Sequence, residues 1–99
     1  MFARLHTLET TPEEYERGLE IVRNELLPWA RESTGFRGLI GLVDRNARKA
    51  LVLTLWADAE SLDASATAGD RLSLLAADAS GADRRSLEDY EVSIFDLPP

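Results

Sequence analysis

Two neighbouring segments, Phe36–Asp44 and Lys49–Trp56, are apolar on both of the faces that a β-strand presents. A polar stretch at 44–48 separates them, so they are predicted to form a hairpin. A strand with one face in water alternates apolar and polar residues, whereas a strand covered on both faces does not. The chain has 99 residues, which is room for one domain spanning 1–99, and its own helices would cover one face of the hairpin. We therefore expect a second subunit to cover the other face, which predicts a homodimer.

The segment after the first strand carries the signals of an amphipathic helix. Thr11 is predicted to be the N-cap, with Pro12 at the first helical position and Glu14 completing a capping box. Pro28 has no N–H to donate to the carbonyl four residues earlier, which predicts a kink or a tightened turn. Gly35 is expected to end the segment. Apolar residues recur every three or four positions and form one stripe: Tyr15, Leu19, Val22, Leu26 and Trp29 or Ala30.

The remaining elements complete the order β-α-β-β-α-β. Residues 2–8 are predicted to form the first strand and residues 87–97 the last. Asp58 is expected to cap a helix that runs to about Thr67 and breaks at Gly69. A second short helix is expected from Asp70, with these residues facing inward: Leu72, Leu75, Ala76 and Ala79. The order predicts an α+β, ferredoxin-like fold, in which a four-stranded antiparallel sheet carries two helices on one face.

The composition excludes several classes of function. The chain has no cysteine, which rules out disulfides, thiolate catalysis and cysteine-based metal sites. Its 18 acidic and 11 basic residues give a net charge of −7, and such a surface repels nucleic acid. No apolar run approaches the roughly 18 residues that span a bilayer, and the first residues lack the long apolar core of a signal peptide. We expect a cytoplasmic protein with neither a nucleic-acid nor a membrane partner.

Two short motifs carry a resemblance to a known family. Gly35 and Phe36 open the second strand, and the third strand ends in Trp56 before a helix rich in acidic and small residues. In these motifs, and in the order of its elements over nearly the whole chain, the sequence resembles the antibiotic-biosynthesis-monooxygenase family. The resemblance implies a dimeric α+β barrel, in which two ferredoxin-like sheets pack face to face and each subunit holds a small pocket between sheet and helices.

The resemblance also implies an activity and its limits. Some members of the family oxidise phenolic polyketide intermediates with oxygen and use neither a metal nor a flavin, so no cofactor is expected. Trp56 matches the strand-ending tryptophan that lines the pocket in several active members. Val52 stands where characterised monooxygenases of the group have an asparagine. The helix after Trp56 has no histidine, so the haem ligand of the haem-degrading branch is missing and haem degradation is disfavoured.

His6 and Arg4 are the candidate catalytic residues. His6 is the single histidine, and histidine is the side chain whose ordinary pKa lies near neutral pH. It would remove a proton from a phenol, and Arg4, on the same face of the first strand, would stabilise the resulting anion. The alternative is that His6 is a half-exposed strand residue near the sheet edge or the dimer interface. The glutamates of the first helix have no histidine among them and predict a solvated face, not a metal site.

Four further residues are candidates for substrate binding. Trp56, Thr54 and Val52 share one face of the third strand, where an aromatic wall with a hydroxyl group would suit a flat aromatic ligand. Tyr90, in the last strand, would donate a hydrogen bond to the ligand. Core packing is the alternative role for both Trp56 and Tyr90.

Two functions remain open at this stage. One is a cofactor-independent monooxygenase-like protein that acts on a small aromatic or polyketide-like compound. The other is a non-catalytic dimeric protein of the same fold that binds a small apolar molecule or assists a partner enzyme. The first rests on Trp56 and His6, and the second on Val52 and on the scarcity of polar groups expected in the pocket.

Overall fold

Four antiparallel strands form one sheet in the order β2-β3-β1-β4, which confirms the predicted ferredoxin-like arrangement. The computed structural model describes residues 1–98, with the side chains of 1–69, 71, 75 and 78–98. The strands are β1 (Phe2–Glu9), β2 (Phe36–Asp44), β3 (Lys49–Trp56) and β4 (Asp83–Glu91). The helices are α1 (Pro12–Ile21), α2 (Leu27–Glu32) and α3 (Ala59–Ser80), with a π-helical turn at Val22–Leu26. No helix within residues 1–98 is long and apolar enough to cross a membrane.

The strand register divides the side chains of the sheet between two faces. His6 lies between Val52 of β3 and Leu87 of β4, and Val52 in turn pairs with Gly41 of β2. These four residues form a row across the sheet, on the side covered by helices, which we call the helix face. Because successive side chains of a strand alternate, the other even-numbered residues of β1 lie on the same face. The opposite side, here called the open face, carries the alternate residues, among them Leu42 of β2.

The capping box at the start of α1 is confirmed. The Glu14 N–H donates to Thr11 Oγ1 at 3.2 Å, and the Thr11 N–H donates to Glu14 Oε1 at 2.8 Å. The same helix is fastened to the end of α3, because the Arg17 guanidinium donates two hydrogen bonds to the Ser80 carbonyl oxygen. These contacts fix the helix layer that covers β1.

The helix does not tighten at Pro28, which was one of the two outcomes predicted from the sequence, but widens one turn earlier. The Leu27 N–H donates to the carbonyl oxygen of Val22, five residues back, which is the bond of a π-helix. Pro28 then falls in the first turn of α2, where the absence of its N–H costs little. The widened turn lies over the sheet, and its last residue, Leu26, is buried.

The prediction that the second helical region breaks at Gly69 was wrong, because α3 is continuous from Ala59 to Ser80. Gly69 has a packing role: a Cβ atom there would lie 2.9 Å from Cη2 of Trp29, so only glycine lets the indole approach the helix. Leu75 and Ala79, predicted to face inward, are exposed, while the side chains of Leu72 and Ala76 lie outside the described ones.

The two ends of α3 follow ordinary capping chemistry. Asp58 accepts a hydrogen bond from the Ser61 N–H at 2.8 Å, and this bond is the main cause that lowers the pKa of the Asp58 carboxyl group. At the other end Gly81 has a φ of 87°, the left-handed conformation that commonly ends a helix. The predicted N-cap is thus confirmed, whereas the predicted early end is not.

The last strand begins and ends earlier than predicted, since β4 spans Asp83–Glu91 instead of 87–97. Its start is charged, and the sequence pattern therefore missed it; Arg85 forms ion pairs with Glu9 of β1 and with Asp83. The ladder ends where Glu91 meets Phe2, the first residue of β1. Residues 92–98 continue as an irregular segment in which Ile94, Phe95 and Leu97 are exposed.

Candidate functional site

A cavity of about 380 Å³ lies between the helix face of the sheet and the segment formed by α1 and the π-helical turn. Apolar side chains supply much of its wall, from the sheet below and the helix above: Leu8, Leu39, Val52, Leu19, Val22 and Leu26. The helical residues in this set belong to the stripe predicted from the sequence. The stripe therefore packs against the sheet while leaving room for a small molecule.

Polar and charged side chains also line the cavity: His6, Thr10, Glu14, Tyr15, Arg23, Ser80 and Arg84. His6 is in the floor, Tyr15 comes from α1, and Arg84 comes from β4. Arg84 reaches the cavity because the register of β4 shifts between Thr7 and Leu8, which places it opposite Leu8 on the helix face. An apolar chamber with a few polar groups is typical of sites that bind small organic molecules.

His6 lies in the centre of the sheet and is only 4% exposed. Its position in β1, between Val52 and Leu87, turns its imidazole toward the helix face, and both His6 and Val52 line the cavity. The structure thus brings together one of the two candidate catalytic residues and one of the four candidate binding residues. An imidazole at this position is able to exchange a proton with a ligand in the cavity.

Arg4 lies two residues before His6 on the same face and is also buried, with 5% of its surface exposed. Its guanidinium group is engaged by protein partners. Nε donates to Asp89 Oδ1 at 2.9 Å, Nη2 donates to Asp89 Oδ2 at 3.2 Å, and Nη1 donates to Ser65 Oγ at 3.2 Å. A fourth bond runs from Nη2 to the Leu62 carbonyl oxygen at 3.4 Å. Arg4 therefore links β1 to α3 and β4 beside the cavity, outside its wall.

Trp56 and Thr54 also lie on the helix face, beyond the end of the cavity. Trp56 is 1% exposed, and its indole N–H donates to Thr54 Oγ1 at 3.0 Å. Its ring packs against Phe36 at a centroid distance of 5.5 Å and against Trp29 at 6.3 Å. These contacts make an aromatic cluster that closes the layer between sheet and helices at this end.

Tyr90 lies on the open face, opposite Ala3 in the register, and is therefore separated from His6 by the sheet itself. Its side chain is half exposed, and its hydroxyl group donates to Glu88 Oε2 at 2.8 Å. That hydrogen bond is the main cause that raises the pKa of the Tyr90 phenol, since the neutral form is the donor. Tyr90 therefore lies outside the cavity.

Several lining residues were not singled out from the sequence as part of a site. The sequence pattern favours a place in the helical stripe for Tyr15 over a ligand contact, and it marks neither Gly41 nor Arg84 as part of a site. A signal existed for Tyr15, since a stripe that faces the row of His6 must also face any ligand bound above that row. Gly41 and Arg84 depend on strand register and on the β-bulge, which the sequence pattern does not specify. Among the residues that the structure describes, no three acidic or histidine side chains are grouped so as to hold a metal ion.

Comparison with known proteins gives likeness in structure without likeness in sequence. No family model matches the chain, and no curated protein sequence matches it. A protein described as an antibiotic biosynthesis monooxygenase of Deinococcus radiodurans superposes with a TM-score of 0.73 at 14% identity, over 100% of this chain and 99% of that one.

Two other solved structures extend the comparison. A monooxygenase of Streptomyces coelicolor, solved in complex with nanaomycin D, has a TM-score of 0.70 at 15% identity, over 99% of this chain and 92% of that one. A dimeric ferredoxin-like protein from an uncultured marine organism has a TM-score of 0.69 at 10% identity, over 98% of both chains. These likenesses show that the chain has the fold of the antibiotic biosynthesis monooxygenase-like proteins, which confirms the resemblance at the level of the fold.

Proposed function

We propose that the chain is a cofactor-independent monooxygenase-like enzyme that oxidises a small phenolic, aromatic or polyketide-like compound in the cavity beside His6. The observation that carries the proposal is a buried imidazole in the floor of an otherwise mainly apolar cavity of about 380 Å³. The fold supports it, because a protein of the same fold has been solved with nanaomycin D bound. A cytoplasmic location belongs to the same proposal.

The reaction requires a proton acceptor and a chamber that shields the substrate from water. His6 would take the phenolic proton, and the resulting phenolate would react with molecular oxygen. For a simple phenolic substrate such as 1-naphthol, one oxygen atom enters the ring and the other leaves as water. The substrate supplies all the electrons, so that 1-naphthol and O₂ yield naphthoquinone and water. The apolar walls from Val52 and Leu39 would hold the ring and exclude solvent.

The other candidate residues have supporting parts in this proposal. Arg4 would hold in place the part of β1 that carries His6, because its guanidinium group joins this strand to Asp89 of β4 and Ser65 of α3. Trp56 and Thr54 would close one end of the layer that contains the site. We assign Val52 to direct contact with the ligand and Tyr90 to the opposite face of the sheet.

Replacing His6 by glutamine is expected to lower kcat/KM for 1-naphthol by at least about 100-fold, because the general base is lost while the side-chain volume is kept. Oxygen uptake and quinone absorbance measure the effect. Thr7→Val, the next residue of β1 on the opposite face, is the matched control and should leave turnover unchanged. Equal turnover in H6Q and wild type would rule out His6 as the base.

A non-catalytic binding protein of the same fold is the second candidate. It is favoured by three of the candidate residues, which offer a ligand no polar group: Arg4 is bonded within the protein, the Trp56 N–H is bonded to Thr54, and Val52 is apolar. This function predicts saturable binding of nanaomycin D or 1-naphthol without oxygen uptake. Turnover of either compound would decide for the enzyme.

We also propose that the protein is a homodimer formed through the open face of the sheet. On this face Ile40 is 41% exposed and Leu42 is 52% exposed, and both pair with apolar residues of β3. Tyr90 of β4 is a further large exposed residue on this face. Leu87 is also exposed, but it lies on the helix face. A second copy is the occupant that we favour, since a protein of the same fold is known as a dimer.

The dimer makes a direct prediction about Leu42. Replacing it by aspartate places a charge in the apolar interface and is expected to shift the protein to monomers at micromolar concentration. Sedimentation equilibrium measures the mass, and Asp63→Asn, an exposed change on α3, is the control that should stay dimeric. A wild-type protein with the mass of one chain under these conditions would contradict the proposal.

A further inference from the structure

The floor of the cavity has a gap at Gly41. This residue lies on the helix face of β2, beside Val52, which in turn lies beside His6. Strands are spaced about 4.8 Å apart, so Gly41 and His6 are roughly 10 Å apart across the sheet. A Cβ atom built on Gly41 would lie 3.9 Å from the hydroxyl oxygen of Tyr15. The Tyr15 hydroxyl group therefore lies above the gap, on the far side of the cavity floor from His6.

Neither backbone conformation nor packing requires a glycine at this position. Positive φ angles are found at Gly35 and Gly81 but not at Gly41. The 3.9 Å distance to Tyr15 is an ordinary contact, so a methyl group would fit. Glycine weakens a strand interior, and where it persists it often marks the close approach of a ligand or another backbone. The space that Gly41 leaves empty belongs to the cavity.

This side of the cavity opens to solvent. Gly41 is exposed, and Val43, the next residue on the same face, is 38% exposed, because the helices do not extend over the second half of β2. The Tyr15 ring partly covers the opening. The guanidinium carbon of Arg45 lies 5.6 Å from the ring centroid, and Arg45 also pairs with Glu16 at 3.3 Å. Arg45 thus contacts the Tyr15 ring while the hydroxyl group reaches the cavity.

We infer that Gly41 and Tyr15 form the entrance of the cavity, and that the Tyr15 hydroxyl group binds an oxygen atom of the substrate. The inference rests on the proposed function, and it specifies the substrate class further. The compound is flat and has two oxygen atoms at opposite ends, one whose proton His6 removes and one that accepts a hydrogen bond from Tyr15. Gly41 selects for this compound, because a larger side chain at position 41 would occupy the space that the compound needs between the Tyr15 hydroxyl group and His6.

Two probes that differ by one oxygen atom test the inference. Wild-type protein should bind 2,6-dihydroxynaphthalene more tightly than 2-naphthol in calorimetric titrations. Tyr15→Phe should weaken binding of the diol by about threefold to tenfold, which is the value of one hydrogen bond, and should leave 2-naphthol unaffected. The difference between the probes separates a lost hydrogen bond from a general disturbance of the cavity.

Replacement of Gly41 provides a second, independent readout. Gly41→Val should weaken binding of both probes by at least about tenfold, while the melting temperature stays the same or rises, because valine favours a strand. If the role of Gly41 were purely structural, Gly41→Val would change the affinity for the probes and the melting temperature in the same direction. Gly38→Ala is the matched control: it lies in the same strand on the open face, where a Cβ atom would be 3.7 Å from Leu55 Cδ1, and it should bind as wild type does.

The outcomes separate the inference from the function on which it rests. If neither probe binds the wild-type protein, both the proposed function and the entrance are wrong. If both probes bind and the Tyr15→Phe and Gly41→Val variants bind them as wild type does, the entrance is wrong, whereas the proposed function is decided separately by oxygen uptake with 1-naphthol. Loss of selectivity in the first variant together with loss of affinity in the second supports the inference.

Discussion

Replacing Gly35 by alanine is expected to lower the free energy of unfolding by about 2–4 kcal/mol, the sum of backbone strain and overpacking. Gly35 has a φ of 80°, which side chains other than glycine adopt at a cost. A Cβ atom there would also lie 2.1 Å from Ser61 Oγ, because the start of β2 passes directly against the first turn of α3. A domain of this size has only about 5–15 kcal/mol of stability, so the loss would be large.

Urea denaturation measures this effect, and two further variants separate its causes. Gly18→Ala, in α1, places a Cβ atom at 3.6 Å from Ser80 Oγ in a helical backbone and is expected to be neutral or to stabilise by up to about 1 kcal/mol. Combining Gly35→Ala with Ser61→Gly removes the collision but keeps the strain, and should recover part of the loss. A single Gly35→Ala variant as stable as wild type would contradict the geometry at this crossing.

Trp56→Ala is expected to lower the free energy of unfolding by about 3–5 kcal/mol, the usual cost of deleting a buried aromatic ring. The ring is 1% exposed and contacts both Phe36 and Trp29, so its removal leaves a large hole where sheet and helices meet. Denaturant titration followed by circular dichroism measures the change without relying on tryptophan fluorescence.

Thr54→Val tests the polar part of the same contact. The valine keeps the volume, but the indole N–H loses its buried acceptor, and the expected loss is about 1–3 kcal/mol. Binding of 1-naphthol should be retained, since neither residue lines the cavity. If Trp56→Ala instead folded as stably as wild type and only ligand binding were lost, Trp56 would be a wall of the pocket and not part of the core.

The central hairpin and the first helix could be predicted because their signals are local. The runs Phe36–Asp44 and Lys49–Trp56 have the same limits in the structure as in the sequence pattern, since an uninterrupted apolar run ends where the polar turn begins. The Thr11 capping box needs only residues that are three positions apart. The errors concerned distant partners: Gly69 was mistaken for a helix break because Trp29, which packs against it, is 40 residues earlier in the chain.

In the candidate site, too, features with a local signal could be predicted, and features that depend on distant residues could not. His6 was singled out from its chemistry alone, and the alternation of β1 was enough to place Arg4 on its face. The sequence pattern reveals neither the Arg4–Asp89 pair, whose members are 85 residues apart, nor the proximity of Tyr15 to Gly41. Both depend on how β1, β2 and β4 are set against one another, and a shift of one residue in any strand would reverse the face on which a side chain lies.

The π-helical turn at Val22–Leu26 bears on how the chain tolerates changes in length. A bond from the N–H of one residue to a carbonyl five residues back encloses one residue more than the α-helical bond does. A chain with one residue fewer in this turn would return to an ordinary α-helix and still present the faces of α1 and α2 to the same sheet. We therefore expect this turn to be the place in the helix layer where the loss of one residue disturbs the cavity and the aromatic cluster least.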